Sequence, residues 1–296
     1  MTCFIINPAA GSGRAKAARP IIERIMRENG LAHEFIYTDG PGDFARVSGL
    51  IDFGAAKTIA CVGGDGTVQE YAGLAVRRDV SFAVIPAGSG NDGILSLPGG
   101  AGKLRSFEEK TAHYTEKIVR GKTASLDIIA VNGGYCFNIG GTGIDIQVLR
   151  DALPLKRFFG GAAYFLSLIK NAATYKAGEI TLTVDGNTVT DRFLLLAVCN
   201  GAYYGGGLHI APAAAMDDGL ITLCAVRRMP RLKLMALFPA VKPGKHTGFK
   251  EVSFVNCSRV SLEFEGKKTV NLDGNLFEME SPLDFEILRG GIRVVV

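Results

Sequence analysis

No run in this 296-residue sequence approaches the roughly 18 consecutive apolar residues that a membrane-spanning helix needs. The opening, MTCFIINPAAGSGRA, has no basic leading segment, and its apolar stretch stops at Pro8, so it does not read as a secretory signal. The six cysteines (Cys3, Cys61, Cys136, Cys199, Cys224, Cys257) form no C-x-x-C pair, and the four histidines (His33, His113, His209, His246) show no ligand spacing. Both absences argue against zinc and predict buried thiols in a reducing, cytoplasmic compartment. There is no internal repeat and no low-complexity tract. The 38 glycines follow no G-X-Y period, which excludes collagen. A net charge of +4 is too slight to indicate a nucleic-acid partner.

What is present is a globular balance, 47% apolar and 21% charged, over a length that suits two domains. The first half alternates. Short apolar runs at 3–6, 34–37, 58–62 and 82–85 read as strands. Helical stripes lie between them: Ile21, Ile22, Ile25 and Met26, then Phe44, Val47, Leu50 and Ile51, then 68–76. This predicts a doubly wound parallel α/β domain. Beyond about Lys122, strand-like runs follow one another (125–131, 135–139, 180–184, 193–199, 220–226, 252–254, 260–264, 269–272, 285–288). Only two helices, at 161–174 and 231–241, interrupt them. This predicts an antiparallel β-sandwich. The expected domains are 1–118 and 119–296, with the last strand packing back on the first domain.

Three glycine-bearing loops fall at the ends of expected parallel strands, the edge where open α/β sheets bind ligands. They are Asn7 to Arg14 (NPAAGSGR), Gly63 to Thr67 (GGDGT) and Pro86 to Asp92 (PAGSGND). Glycine lets backbone N–H groups crowd an anion, and a following helix adds positive potential. No G-x-G-x-x-G follows the first strand and no G-K-[ST] occurs, so neither a dinucleotide fingerprint nor a Walker A loop is present. A carboxylate among phosphate-binding glycines needs a cation, so Asp65 is read as positioning Mg²⁺ on a nucleotide rather than as a solvated turn. Thr67 and Ser89 offer hydroxyls to phosphate. Asn91 and Asp92 either serve nucleotide and substrate or form an Asx turn.

The segment GGDGTVQE resembles the nucleotide-binding motif of the diacylglycerol kinase catalytic family, which includes bacterial lipid kinases and sphingosine kinases. The resemblance extends to NPAAGSGRA, to YTDGPGDFARVSG, and to PAGSGND with Ser89 for the usual threonine. It continues through ASLDIIAVNGGYCFNIGGTGID and GGGLHIAPAAAMDDGLITL, and so spans nearly the whole chain. It implies an ATP-dependent lipid kinase of phospholipid metabolism that moves the γ-phosphate of ATP to a lipid hydroxyl such as that of diacylglycerol. ATP would lie among Asn7, Gly11, Gly13, Thr38, Gly63, Gly64, Asp65, Gly66, Thr67, Glu70, Ser89 and Asn91. The acceptor would lie near Asn91, Asp92, Asp127 and Asn275, in the cleft between the domains. Asp218 and the carbonyls of Ala215 and Leu220 would hold a structural Mg²⁺.

One departure stands out. The family's D-G-E triad reads Asp273-Gly274-Asn275 here, so an amide replaces the proposed general base. Three readings follow: Glu278 or Glu280 reaches the acceptor from the same turn, or a base matters little, or the protein binds nucleotide and lipid as a regulator without turnover. A further alternative is NAD kinase, which shares the G-G-D-G core. The stretch from Arg227 to Lys250 has no acidic residue and carries Arg227, Arg228, Arg231, Lys233, Lys242, Lys245 and Lys250. It reads either as a basic helix for peripheral contact with an anionic membrane at the inner face, or as a connecting helix whose Leu234, Leu237 and Phe238 are core. The stretch at 155–166 reads either as lining for a lipid pocket or as a core helix.

Overall fold

The computed structural model describes residues 1–98, 106–159 and 162–296. The chain divides into two compact units. Unit 1 is Met1–Ile128 with Met216–Gly219 and Leu288–Val296; unit 2 is Ile129–Ala215 with Leu220–Ile287.

Unit 1 is built on four parallel strands: β1 (Thr2–Ile6), β2 (His33–Tyr37), β3 (Thr58–Gly63) and β4 (Ser81–Pro86). β1 and β4 are buried along their whole length, which is why they read as continuous apolar runs. The strand order is β2-β1-β3-β4. α1 (Arg14–Ala17) and α2 (Arg19–Glu28) join β1 to β2, α3 (Phe44–Leu50) joins β2 to β3, and α4 (Asp65–Ala72) joins β3 to β4. The chain therefore leaves β1 in one direction and β3 in the other. Right-handed crossovers put α2 on one face and α3 and α4 on the opposite face. α2 buries Ile22, Ile25 and Met26. α4 starts at Asp65, earlier than the apolar stripe suggested, so the glycine motif forms its first turn.

After α5 (Asp92–Ser96) comes α6 (Phe107–Arg120). A capping box opens α6: the Glu109 N–H donates to Ser106 Oγ at 3.0 Å, and the Ser106 N–H donates to the Glu109 carboxylate at 3.3 Å. Gly121 closes it in the left-handed conformation. α6 packs against α2 and β4. The first unit runs on past α6 to Ile128.

Unit 2 is the β-sandwich. β5 (Thr123–Val131) enters it and pairs with β6 (Gly134–Cys136). There follow β7 (Ile139–Gly143), α7 (Ile144–Phe159), α8 (Ala162–Thr174), β8 (Glu179–Val184) and β9 (Asn187–Cys199). Next come β10 (Tyr203–Tyr204), β11 (Leu208–His209), β12 (Ile221–Arg227), α9 (Arg231–Val241) and β13 (Val252–Cys257). β14 (Arg259–Glu263), β15 (Lys267–Leu272), β16 (Asn275–Glu280) and β17 (Leu283–Val295) complete the chain. β9 serves two sheets: its first half pairs with β8 and its second half with β7 and β12. Leu196, Val198, Val260, Leu262 and Phe285 lie in the core of the strands. A second cluster joins Val148 of α7, Leu168 of α8, and Leu234 and Leu237 of α9. The end of β17 belongs to unit 1, where Val294 lies parallel beside Phe82 of β4.

Several elements were not expected from the sequence, among them α5, α6, α7, β10, β11 and β16. α7 runs through Pro154, a residue that reads as a helix stop. β16 returns from β15 through Asp273 and Gly274, both at positive φ (49° and 94°), the two-residue turn that D-G favours. The stretch at 155–166 covers the end of α7 and the start of α8, and most of its side chains lie outside the described residues. All six cysteines are buried and free. Among the described residues no helix is long and apolar enough to cross a membrane.

Candidate functional site

The carboxyl ends of the parallel strands are in register: Ile6 stands opposite Tyr37 and Val62, and Gly63 opposite Pro86. The ladder extends one residue further, with Asn7 N–H donating to Val62 O, Thr38 N–H to Ile6 O and Ala87 N–H to Gly63 O. All three glycine loops therefore leave one edge, at the point where the strand order reverses. They also touch. A Cβ on Gly11 would lie 2.0 Å from Ala87 O, and one on Gly88 would lie 2.5 Å from Gly64 Cα. Only glycine permits that approach. Asn7 Nδ2 donates to Thr67 Oγ1 at 3.0 Å, tying the first loop to the second. Asn91 braces the third loop by accepting from Gly88 N–H and donating to Gly88 O.

Gly13 caps α1 at φ 93°, Gly66 lies in the first turn of α4, and Ser89 is exposed at the loop tip. Thr38 is buried, and its Oγ1 has no hydrogen-bond partner among the described residues. A buried hydroxyl left unpaired costs stability unless a ligand completes it. Glu70 accepts from Gly42 N–H at 2.9 Å, and burial raises its pKa.

Asp65 and Asp92 converge. The Oδ2 atoms of both lie 3.1 Å from where a Cβ on Gly90 would sit. Asp65 Oδ1 accepts the Gly93 N–H at 3.0 Å. Burial, with the Asp92 charge adding to it, pushes the Asp65 carboxyl up to about 6. Two shielded carboxylates sharing one glycine are the kind of oxygen donor set a hard dication takes, and a dication would relieve their repulsion. The residues fit magnesium.

Asp127 and Asp218 belong to a different constellation. Asp127 is buried; its oxygens accept from Gly219 N–H at 2.6 Å and Gly290 N–H at 2.7 Å, and its own N–H donates to Met216 O. These bonds tie β5 to the 216–219 turn and to β17. They give Asp127 a turn-holding place within unit 1. The Arg289 guanidinium lies against the same turn: it donates to Asp218 O at 3.4 Å, and a Cβ on Gly219 would lie 2.3 Å from its Nε. The exposed Arg289 side chain thus lies against the backbone of the turn between Ala215 and Leu220.

In unit 2 the D-G-N turn is anchored by Asp273, a residue the sequence reading passed over in favour of Asn275. Its buried carboxylate accepts three backbone N–H groups, from Phe137 at 2.7 Å, Asn138 at 2.9 Å and Ile139 at 2.8 Å. Asn275, partly exposed, opens β16 opposite Leu272. Glu278 does not reach back to it. With a period of two it points to the other side of β16, where it bonds Thr269 Oγ1 and Arg150 at 3.1 Å. Those bonds hold its carboxyl below the usual range. Glu280 pairs with Lys267 at 3.2 Å.

Comparison with known proteins places this geometry. Residues 1–131 match the diacylglycerol kinase catalytic domain, and residues 139–296 match the YegS C-terminal NAD kinase beta sandwich-like domain. A probable lipid kinase YegS-like protein of Chromohalobacter salexigens is 31% identical, over 75% of this chain and 70% of its own length. A diacylglycerol kinase of Bacillus subtilis is 27% identical over 99% of this chain and 95% of its own. The crystal structure of a putative diacylglycerol kinase from Bacillus anthracis shares the fold, with a TM-score of 0.78 at 24% identity, covering 99% of this chain and 96% of that one. The chain thus belongs to the diacylglycerol kinase catalytic-domain family, in the form that carries a YegS-type C-terminal domain.

Proposed function

We propose that this kinase-family protein is a magnesium-dependent lipid kinase that transfers the γ-phosphate of ATP to a free hydroxyl of a lipid such as diacylglycerol. The observation that carries the reading is the convergence of Asp65 and Asp92 over Gly90, inside three mutually contacting glycine loops at one sheet edge. The triphosphate lies along residues 7–13, 63–67 and 88–91, where backbone N–H groups meet its oxygens. The buried Thr38 hydroxyl completes its bonding on the nucleotide, and Glu70 holds the 38–43 segment through Gly42.

Asp65 and Asp92 would hold magnesium, which when bound would neutralise charge on the phosphate oxygens. At the 215–220 turn we assign the bracing role to Arg289, through its bond to the Asp218 carbonyl, rather than to a second magnesium. The acceptor oxygen bonds to the γ-phosphorus as the bond to the β–γ bridging oxygen breaks, and ADP leaves. Asn275 cannot take the hydroxyl proton, so the proton leaves to water or to a phosphate oxygen. A loose transition state tolerates this, because positioning and charge stabilisation carry most of the catalysis. The free buried thiols accord with action in the cytoplasm.

Radiolabelled ATP with a panel of lipid hydroxyls tests the reading. Label in a lipid product, lost in Asp65→Ala, supports it. Binding of Mg·ATP with no labelled lipid would make the protein a regulator. NAD belongs in the panel, since NADP as the sole product would replace the lipid acceptor.

A further inference from the structure

The apolar stripe read in α9 turns inward. Leu234, Leu237 and Val241 are buried in the cluster shared with α7 and α8, and Phe238 packs against it. The opposite side of the helix should then be polar, as on an ordinary surface helix. It is not. Arg231, Leu232, Met235, Ala236 and Pro239 form the exposed stripe, at the i, i+1, i+4, i+5, i+8 positions of one face. Leu232 is 83% exposed, the most exposed large apolar side chain among the described residues, and Met235 is 42% exposed. α8 packs against α9 and turns Leu166 and Ile169 outward as well. A helix that is apolar all round yet lies at the surface lacks a partner on its outer side.

The charges around this face identify the partner. From Leu220 to Lys250 the chain holds seven Lys and Arg and no Asp or Glu. Two of the seven are neutralised: Arg227 pairs with Asp191 at 3.2 Å and Lys233 with Glu251 at 2.7 Å. Arg228, Arg231, Lys242 and Lys245 are exposed and form no ion pair with any described residue. They sit before, at the start of and just beyond α9, so cations bracket the apolar stripe at both ends. A protein partner of ordinary composition would match the apolar stripe alone. A bilayer with anionic headgroups matches both features, with apolar side chains below the headgroups and cations level with them.

We infer that the outer face of α9, with the adjoining face of α8, docks the protein on the surface of an anionic membrane. The lipid-kinase reading enters only as a reason to expect such a surface. The geometry is that of a helix lying in the interface plane.

Sedimentation of the full chain with vesicles, in the absence of ATP, tests this. The vesicles are phosphatidylcholine alone or phosphatidylcholine mixed with phosphatidylglycerol. Partitioning should require the anionic lipid, fall with added salt, and drop about fivefold for each of Arg231→Gln and Lys242→Gln. Leu232→Asp with Met235→Asp should abolish it while leaving the thermal melt unchanged, since both side chains are exposed. Equal binding to neutral vesicles, unimpaired binding by the Asp variant, or a melt lowered by that variant would overturn the inference. So would a concentration-dependent dimer that Leu232→Asp dissolves while vesicle binding persists. Activity on a water-soluble short-chain diacylglycerol is measured in parallel. If vesicle binding fails and that activity persists, the docking surface is wrong and the kinase reading stands.

Discussion

Asp65 is ionised at a cost that a ligand must offset. Its folded-state pKa, about 6, lies above the ordinary 3.8 of an aspartate carboxyl. Between those values the native state holds the proton and the unfolded chain does not. The metal-free protein therefore loses stability as pH rises through that window, and the full penalty, up to about 3 kcal/mol, is present above it. Asp65→Asn should raise the stability of the metal-free protein at pH 7 by about 2 kcal/mol in urea unfolding. That gain should shrink as pH falls towards 4. The same variant should lose the rise in melting temperature that Mg·ATP gives the wild type. Asn275 poses the complementary case, an amide where a base would speed proton removal. Asn275→Glu should raise kcat by about 10²-fold, the low end of a general-base contribution, with little change in the KM for ATP. An unchanged kcat would mean that proton removal does not limit the wild type.

At the scale of elements, the loops act as one device because their backbones touch. Gly88→Ala places a methyl 2.5 Å from Gly64 Cα, so the second and third loops must separate. The expected outcome is a KM for ATP raised about tenfold or more with a near-normal melt, because misplacing groups by about 1 Å costs on the order of 10²-fold. Asp273→Ala should do the reverse. It strands the N–H groups of Phe137, Asn138 and Ile139, costing about 3 kcal/mol or more in urea unfolding.

Much of this was legible in the sequence. β1, β3 and β4 read directly because burial on both faces leaves continuous apolar runs, and the three loops read from glycine beside polar side chains. The proximity of Asp65 and Asp92 did not, because it depends on a contact between Gly64 and Gly88 that no local pattern encodes. α7 was hidden by Pro154. β16 was hidden because neither of its faces is buried, with Phe277 exposed on one and Glu278 bonded to Arg150 on the other. In α9 the apolar residues were plain but the inward side was not, because a helix apolar all round has no preferred face until its neighbours are placed.

At the scale of the whole molecule, the chain divides its tasks. Unit 1 carries the three glycine loops at a strand-order reversal, where we propose the nucleotide binds, and unit 2 carries the D-G-N turn and an apolar, cation-flanked helix face. Arg289 fixes how metal enters the energetics. The Arg289 guanidinium braces the 216–219 turn, so chelator should leave the melting temperature of nucleotide-free Asp65→Asn, in which the proposed magnesium site is disabled, unchanged. Adding Arg289→Ala to that variant should lower the melting temperature and make it respond to added magnesium. An Asp65→Asn protein that chelator destabilises would instead show that the turn holds magnesium itself.

The central claim is that the glycine loops around Asp65 grip a magnesium–triphosphate. Titration calorimetry with Mg·ATP, run on the wild type and on Asp65→Ala, tests it most directly. The account expects saturable heat from the wild type at one site per chain, and none from the variant. No heat from the wild type, or equal heat from both, would contradict it.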